Sequence, residues 1–124
     1  MTLDDWVTLY EQALASQEWA SVDPLVHDRV CATFSDGRRF VGRDAVRGAF
    51  ERNFALIQDE EYRVSDVEWL VRSEDHAAYV FTFHWSGLIG GEPASGSGRG
   101  TTVLVREGER WLKIAEHLGP APRE

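Results

Sequence analysis

Apolar positions along the chain follow a helical period at first and a two-residue period later. Leu3, Trp6, Val7, Tyr10, Ala13 and Leu14 fall at the i, i+3, i+4, i+7 spacing of one buried helix face. Thr2 is placed to cap that helix, with Asp4 and Asp5 at its positive end. Trp19 to Val26 reads as a second, shorter helical piece, with Pro24 near the start of a turn after Asp23. A third helix is predicted over residues 43 to 57, with Val46, Phe50, Phe54 and Ile57 inward. Between these helices, residues 30 to 34 and 39 to 41 read as two short strands around the turn signal Ser35-Asp36-Gly37-Arg38.

The second half alternates. From Glu60 to Arg72 the phase slips: Tyr62 and Val64 share one parity, Val67, Trp69 and Val71 the other. One extra residue near Ser65-Asp66, a β-bulge, accounts for the slip. Ala77 to Leu88 reads as a long strand with Tyr79, Phe81, Phe83 and Trp85 on one face. Residues 89 to 98 hold four glycines, a proline and two serines, the composition of a mobile loop. Residues 99 to 106 and 110 to 118 then form a closing hairpin. The order is an α+β layout: a cone-shaped, curved antiparallel sheet with three helices packed on its concave face. Residues 1–119 make one domain, and 120–124 a loose tail.

Parity assigns the faces. Four aromatic rings are worth several kcal/mol when buried, so the face bearing Tyr79, Phe81, Phe83 and Trp85 turns to the helices. In the last strand Leu112, Ile114, Glu116 and Leu118 are expected to turn the same way, and Trp111, Lys113, Ala115 and His117 outward. The outer face then carries Val80, His84, Val103, Val105, Trp111, Ala115 and His117. A half-apolar sheet face on a small domain marks a subunit interface, and a homodimer through it is expected.

Composition narrows the function. The 124 residues carry 13 Lys plus Arg against 21 Asp plus Glu, a net charge of -8. Such a chain lacks the basic face that nucleic acid and anionic membranes require. Cys31 is the single cysteine, which excludes an intrachain disulfide and a thiolate zinc site. No signal-peptide pattern and no membrane-spanning run is seen, so a cytoplasmic protein is expected. Four histidines, His27, His76, His84 and His117, show no metal-ligand spacing, and neither metal nor cofactor is expected.

Three strings carry a family resemblance: Asp36 to Val46 (DGRRFVGRDAV), Gly98 to Val105 (GRGTTVLV) and Trp111 to Leu118 (WLKIAEHL). They resemble the SnoaL-like group of the nuclear-transport-factor-2-like superfamily, which includes the ketosteroid isomerases. The resemblance implies a cone-shaped α+β fold, dimerisation through the sheet and a deep pocket between sheet and helices. It implies no single reaction, since this fold hosts many. The isomerases use a helix tyrosine, a carboxylate base at the end of the first strand and a second acid in the sheet. Tyr10 matches the tyrosine, but the acid positions fall near Thr33 and Thr102, and threonine does not abstract protons at neutral pH.

The expected function is therefore binding of a small, largely apolar molecule in that pocket. Tyr10, Phe34, Phe50, Phe54, Phe83 and Trp85 would line it, and Thr102 and Glu116 would supply polar contacts. Thr33 competes with Phe34 for the inward position. The alternatives are an enzyme of polyketide-cyclase or isomerase type, with Glu116 as acid/base and Tyr10 as hydrogen-bond donor, and a partner-binding module with a filled pocket.

Overall fold

A computed structural model of the chain describes residues 1–122. Helix α1 (Leu3–Ala15) is followed by α2 (Trp19–Val22) and a single 3-10 turn (Asp23–Leu25). Then come β1 (Val26–Thr33), β2 (Arg39–Val41), α3 (Arg43–Leu56), β3 (Gln58–Arg72), β4 (His76–Ile89), β5 (Glu92–Glu107) and β6 (Arg110–Pro120). The six strands form one sheet in the order β2-β1-β6-β5-β4-β3. Every pairing is antiparallel except β1 with β6, which run parallel. No hairpin joins those two strands, so no tight turn dictates their relative direction.

Local chemistry sets the helices. Thr2 and Asp5 form a reciprocal capping box at the start of α1. All six of its predicted apolar positions are buried. Trp6 donates its indole N–H to the Trp111 carbonyl at 2.9 Å, tying α1 to β6, a central strand of the sheet. The second helical piece is shorter than expected. Pro24 takes an early place in the 3-10 turn, and β1 begins at Val26 instead of Val30. Arg43 holds this corner: its guanidinium donates to the Asp23 and Val26 carbonyls and pairs with Asp23 and Asp28.

The bulge expected near residues 65 and 66 is present. The β3–β4 register shifts between Ser65 and Glu68, and Asp66 has φ 54°. It leaves Val64 on one side of the slip and Val67 and Trp69 on the other, all packed against the core. The Glu11 carboxylate of α1 accepts the Val64 N–H at 2.6 Å, just before the bulge.

Residues 89 to 98 are not a mobile loop. Gly90 and Gly91, both with positive φ, make a two-residue turn, and β5 pairs with β4 without interruption from Glu92 to Val105. The glycines beyond the turn serve packing. Gly96, Gly98 and Gly100 pair with Trp85, Phe83 and Phe81, and the rings lie across the bare backbone. A Cβ on Gly96 would stand 2.6 Å from the Trp85 indole nitrogen, and one on Gly98 2.5 Å from the Phe83 ring.

The last strand departs from simple alternation. Thr102 pairs with Glu116, Val103 with Ala115 and Leu104 with Lys113, so Ile114 is an extra residue in β6. Beyond this bulge the parity reverses. Lys113 and Trp111, expected outward, turn towards the core, while Leu112 pairs with Val105 on the other face. Pro120 closes β6 and does not begin the tail; residues 123–124 lie outside the described residues.

Candidate functional site

Between the concave sheet face and α3 lies a cavity of about 410 Å³, within the range of small-molecule sites, roughly 300–1,000 Å³. Phe50, Phe54, Asn53 and Arg52 of α3 form one wall. Phe83 and Trp85 of β4, Tyr62 of β3 and Leu118 of β6 form the other. Phe34, Phe40, Asp36 and Arg38, from the β1–β2 hairpin, stand at one edge. The rings interlock: Phe34 meets Phe40 and Phe50 edge-on at 5.6 and 5.5 Å, and Phe50 contacts Phe54 at 6.0 Å. The hollow stays open, so the premise of a module with a filled pocket is absent.

Of the eight residues expected to bind ligand, Phe34, Phe50, Phe54, Phe83, Trp85 and Glu116 line the cavity. Register settles the β1 question. Ala32 pairs beside Glu116 and Thr33 beside His117, so Phe34 follows Ala32 inward and Thr33 faces away, accepting a hydrogen bond from Arg39. Tyr10 and Thr102 lie behind the wall, and neither opens into the cavity.

Behind that wall is a buried polar cluster centred on Lys113, the chain's one lysine. Its side chain is 0% exposed. The ammonium donates to the Tyr10 hydroxyl and, at 3.0 Å, to Glu116 Oε1. Thr102 donates to Glu116 Oε2 at 2.7 Å. The Tyr10 and Phe50 rings lie 4.6 and 4.9 Å from the ammonium. Burial pulls the Lys113 ammonium below its ordinary range, and Glu116 opposes that shift. Burial, then the Glu116 charge, pushes the Tyr10 hydroxyl well above its usual range. Each oxygen of Glu116 thus accepts one hydrogen bond within the protein, and the residue also lines the cavity. Tyr10, expected as a hydrogen-bond donor to a ligand, accepts from Lys113 and does not line the cavity.

Two further residues reach the cavity. Glu60 sits where the β3–β4 register shifts between Gln58 and Glu61, beside Asp59 with φ 51°. Burial pushes its carboxyl up to about 7. Its backbone N–H donates to the Gln17 side chain at 3.2 Å, and Gln17 also donates to the Phe54 and Ile57 carbonyls. Gln17 thereby clamps the α3–β3 junction that carries Glu60. Tyr62, two residues on, has its hydroxyl pushed well above its usual range, chiefly by burial. Sequence reading passed over both. The parity that Glu60 shares with Tyr62 and Val64 was the available signal.

On the outer sheet face, Val80, Val103, Val105 and Ala115 are half-buried, His117 is exposed, and His84 hydrogen-bonds Ser65 at 3.0 Å. Trp111 is not part of that face and packs against the core. Among the described residues no group of His, Cys, Asp and Glu is arranged to hold a metal, and no helix is long and apolar enough to cross a membrane.

The model of the SnoaL-like domain family matches residues 3–122. No curated protein matches the chain. Among solved structures, an NTF2-like family protein from Streptomyces avermitilis, provisionally named a dehydratase, superimposes with a TM-score of 0.87 at 17% identity, covering 98% of this chain and 94% of that one. A nuclear transport factor 2 (NTF2-like) superfamily protein from Salmonella enterica gives 0.85 at 13% identity, covering 97% and 89%. An uncharacterized protein with a cystatin-like fold from Caulobacter vibrioides gives 0.82 at 16%, covering 97% and 87%. At these identities the likeness is one of fold.

Proposed function

The chain belongs to the SnoaL-like domain family, and from that premise we propose that it binds a small, largely apolar molecule in the cavity between sheet and helices. The aromatic lining of the 410 Å³ cavity carries this reading. Phe34, Phe50, Phe54, Phe83 and Trp85 offer a ligand apolar contact on several sides. Polar side chains, among them Arg52, Asn53, Glu60, Tyr62 and Glu116, also line it and would orient the ligand by hydrogen bonds. Titration with Nile red, a neutral apolar dye, tests it. Fluorescence should rise to saturation at one dye per chain. Ala49→Phe, which projects a ring from α3 into the cavity, should weaken binding at least tenfold. Unsaturable dye uptake, equal in both proteins, would contradict the reading.

An enzyme working by acid/base chemistry in the same cavity is the second reading, favoured by the carboxyl of Glu60 poised near neutrality. A homodimer through the outer sheet face is supported by the half-buried apolar side chains of Val80, Val103, Val105 and Ala115. The lone thiol of Cys31 suits a reducing compartment, and we assign the protein to the cytoplasm.

A further inference from the structure

Helix α3 carries three arginines. Arg43 pairs with Asp23 and Asp28, and Arg47 with Glu51 one turn on. Arg52 has no carboxylate partner among the described residues, in a chain whose acidic side chains outnumber its Lys and Arg by 21 to 13. Its guanidinium is nevertheless held in place. It lies over the Phe40 ring, 5.6 Å from the centroid. Gly48, one turn earlier, leaves it room: a Cβ there would stand 3.3 Å from Arg52 Nη1. A glycine inside a helix is unfavourable in itself, so this clearance has a local cost. Arg52 and Phe40 both line the cavity, and Arg52 is exposed, which sets the guanidinium at the cavity's rim.

We propose that Arg52 holds the carboxylate of the cavity's ligand, which is therefore an amphipathic monocarboxylate with its apolar body among the rings and its one charge at the rim. The guanidinium fork meets a carboxylate with two parallel N–H donors. The other charged groups facing the cavity are Asp36 and Arg38 on the β1–β2 turn, Glu60 on β3 and Glu116 on β6. Asp36 and Arg38 pair at 2.7 Å, and Glu116 pairs with Lys113 at 3.0 Å. Burial favours the neutral form of the Glu60 carboxyl. Arg52 is thus the cation left without a matching charge. One negative charge on the ligand completes the balance. A second would face Asp36, Glu60 and Glu116 with nothing to offset it.

The carboxylate subsite rests on the cavity accepting small apolar molecules, and the test separates the two. The probes share one ring system: naphthoate, the neutral naphthylmethanol, the cationic naphthylmethylammonium and the dianion naphthyl phosphate. Displacement of bound Nile red and calorimetry on the intact chain give the affinities. Naphthoate should bind about tenfold more tightly than naphthylmethanol, with the cation and the dianion both weaker than naphthoate. Added salt should erode the preference, because the ion pair forms at an exposed rim. Arg52→Gln should bring naphthoate down to the alcohol's affinity while the alcohol's own affinity and the Tm stay unchanged. Arg47→Gln removes a charge from the same helix outside the cavity lining and should keep the preference. If Nile red binds saturably, yet naphthoate and naphthylmethanol bind alike or Arg52→Gln retains the preference, the carboxylate subsite is wrong and the binding cavity stands. Tightest binding of the cation or of the phosphate overturns the subsite as well. If neither Nile red nor any naphthyl probe binds, the cavity reading falls and takes this one with it.

Discussion

Lys113 and Glu116 share the inner face of β6 although they are an odd number of positions, three, apart, because Ile114 is an extra residue in the strand. The bulge brings a cation and a carboxylate together at 3.0 Å behind the cavity wall. A buried pair of this kind fixes geometry more than it stabilises, since desolvation offsets most of the attraction. Its consequence here is the fixed position of Glu116.

Removing one partner should therefore cost more than removing both. Lys113→Ala leaves the Glu116 carboxylate buried without its cation and should destabilise the fold by about 3–5 kcal/mol. The double replacement Lys113→Met with Glu116→Leu should come close to wild-type stability. Urea unfolding followed by tryptophan fluorescence measures both. Equal losses for the single and double variants would show that the pair contributes as packing volume alone.

Glu60 predicts a pH dependence of stability. Its folded value lies near 7, above the ordinary 4.5. Between those values the folded state holds more protons than the unfolded one, so stability falls as pH rises. The contribution is fully present below about 4.5 and lost above about 7. Glu60→Gln, which cannot ionise, should flatten that segment of the curve. Denaturation midpoints measured from pH 4 to pH 8, on the order of the window just named, give the comparison.

The glycines of β5 should resist substitution in proportion to what covers them. Gly98→Val places a Cβ against the Gly119 carbonyl and the Phe83 ring, where at least about 1–3 kcal/mol is expected from overpacking. Displacing that ring also reshapes the cavity, so Nile red affinity should drop with stability. Gly108, whose Cβ would meet nothing, has φ 62° and should report only the backbone penalty. Thermal unfolding of the two variants, with dye titration, distinguishes packing from conformation.

The outer face makes a prediction about mass. Light scattering at micromolar concentration should give twice the 14.0 kDa chain mass. Val103→Glu, at the centre of the apolar face, should return it to one chain while the far-ultraviolet circular dichroism stays unchanged. A monomer mass for the wild type would remove the interface.

Amphipathic periodicity by itself determined α1 and α3, because their apolar positions repeat at helical spacing and bury a single stripe. It also determined the inward face of β4, where four rings at alternate positions outweigh any other register. The slip between Val64 and Val67 revealed the first bulge because apolar residues changed parity across it. The bulge at Ile114 left no such mark: Leu112 and Ile114 continue the apolar parity unbroken, so Lys113 read as outward. Only pairing with Leu104 on β5 turned it inward. In the same way, a glycine-rich run reads as a loop until the Phe81, Phe83 and Trp85 rings are there to lie across it. The cavity's free carboxyl had the same origin: Glu60 is an ordinary acidic residue in a strand until the Asp59 kink and the Gln17 clamp aim it inward. Local sequence encodes which residues alternate; the register between strands, fixed by long-range hydrogen bonds, decides where each alternation begins.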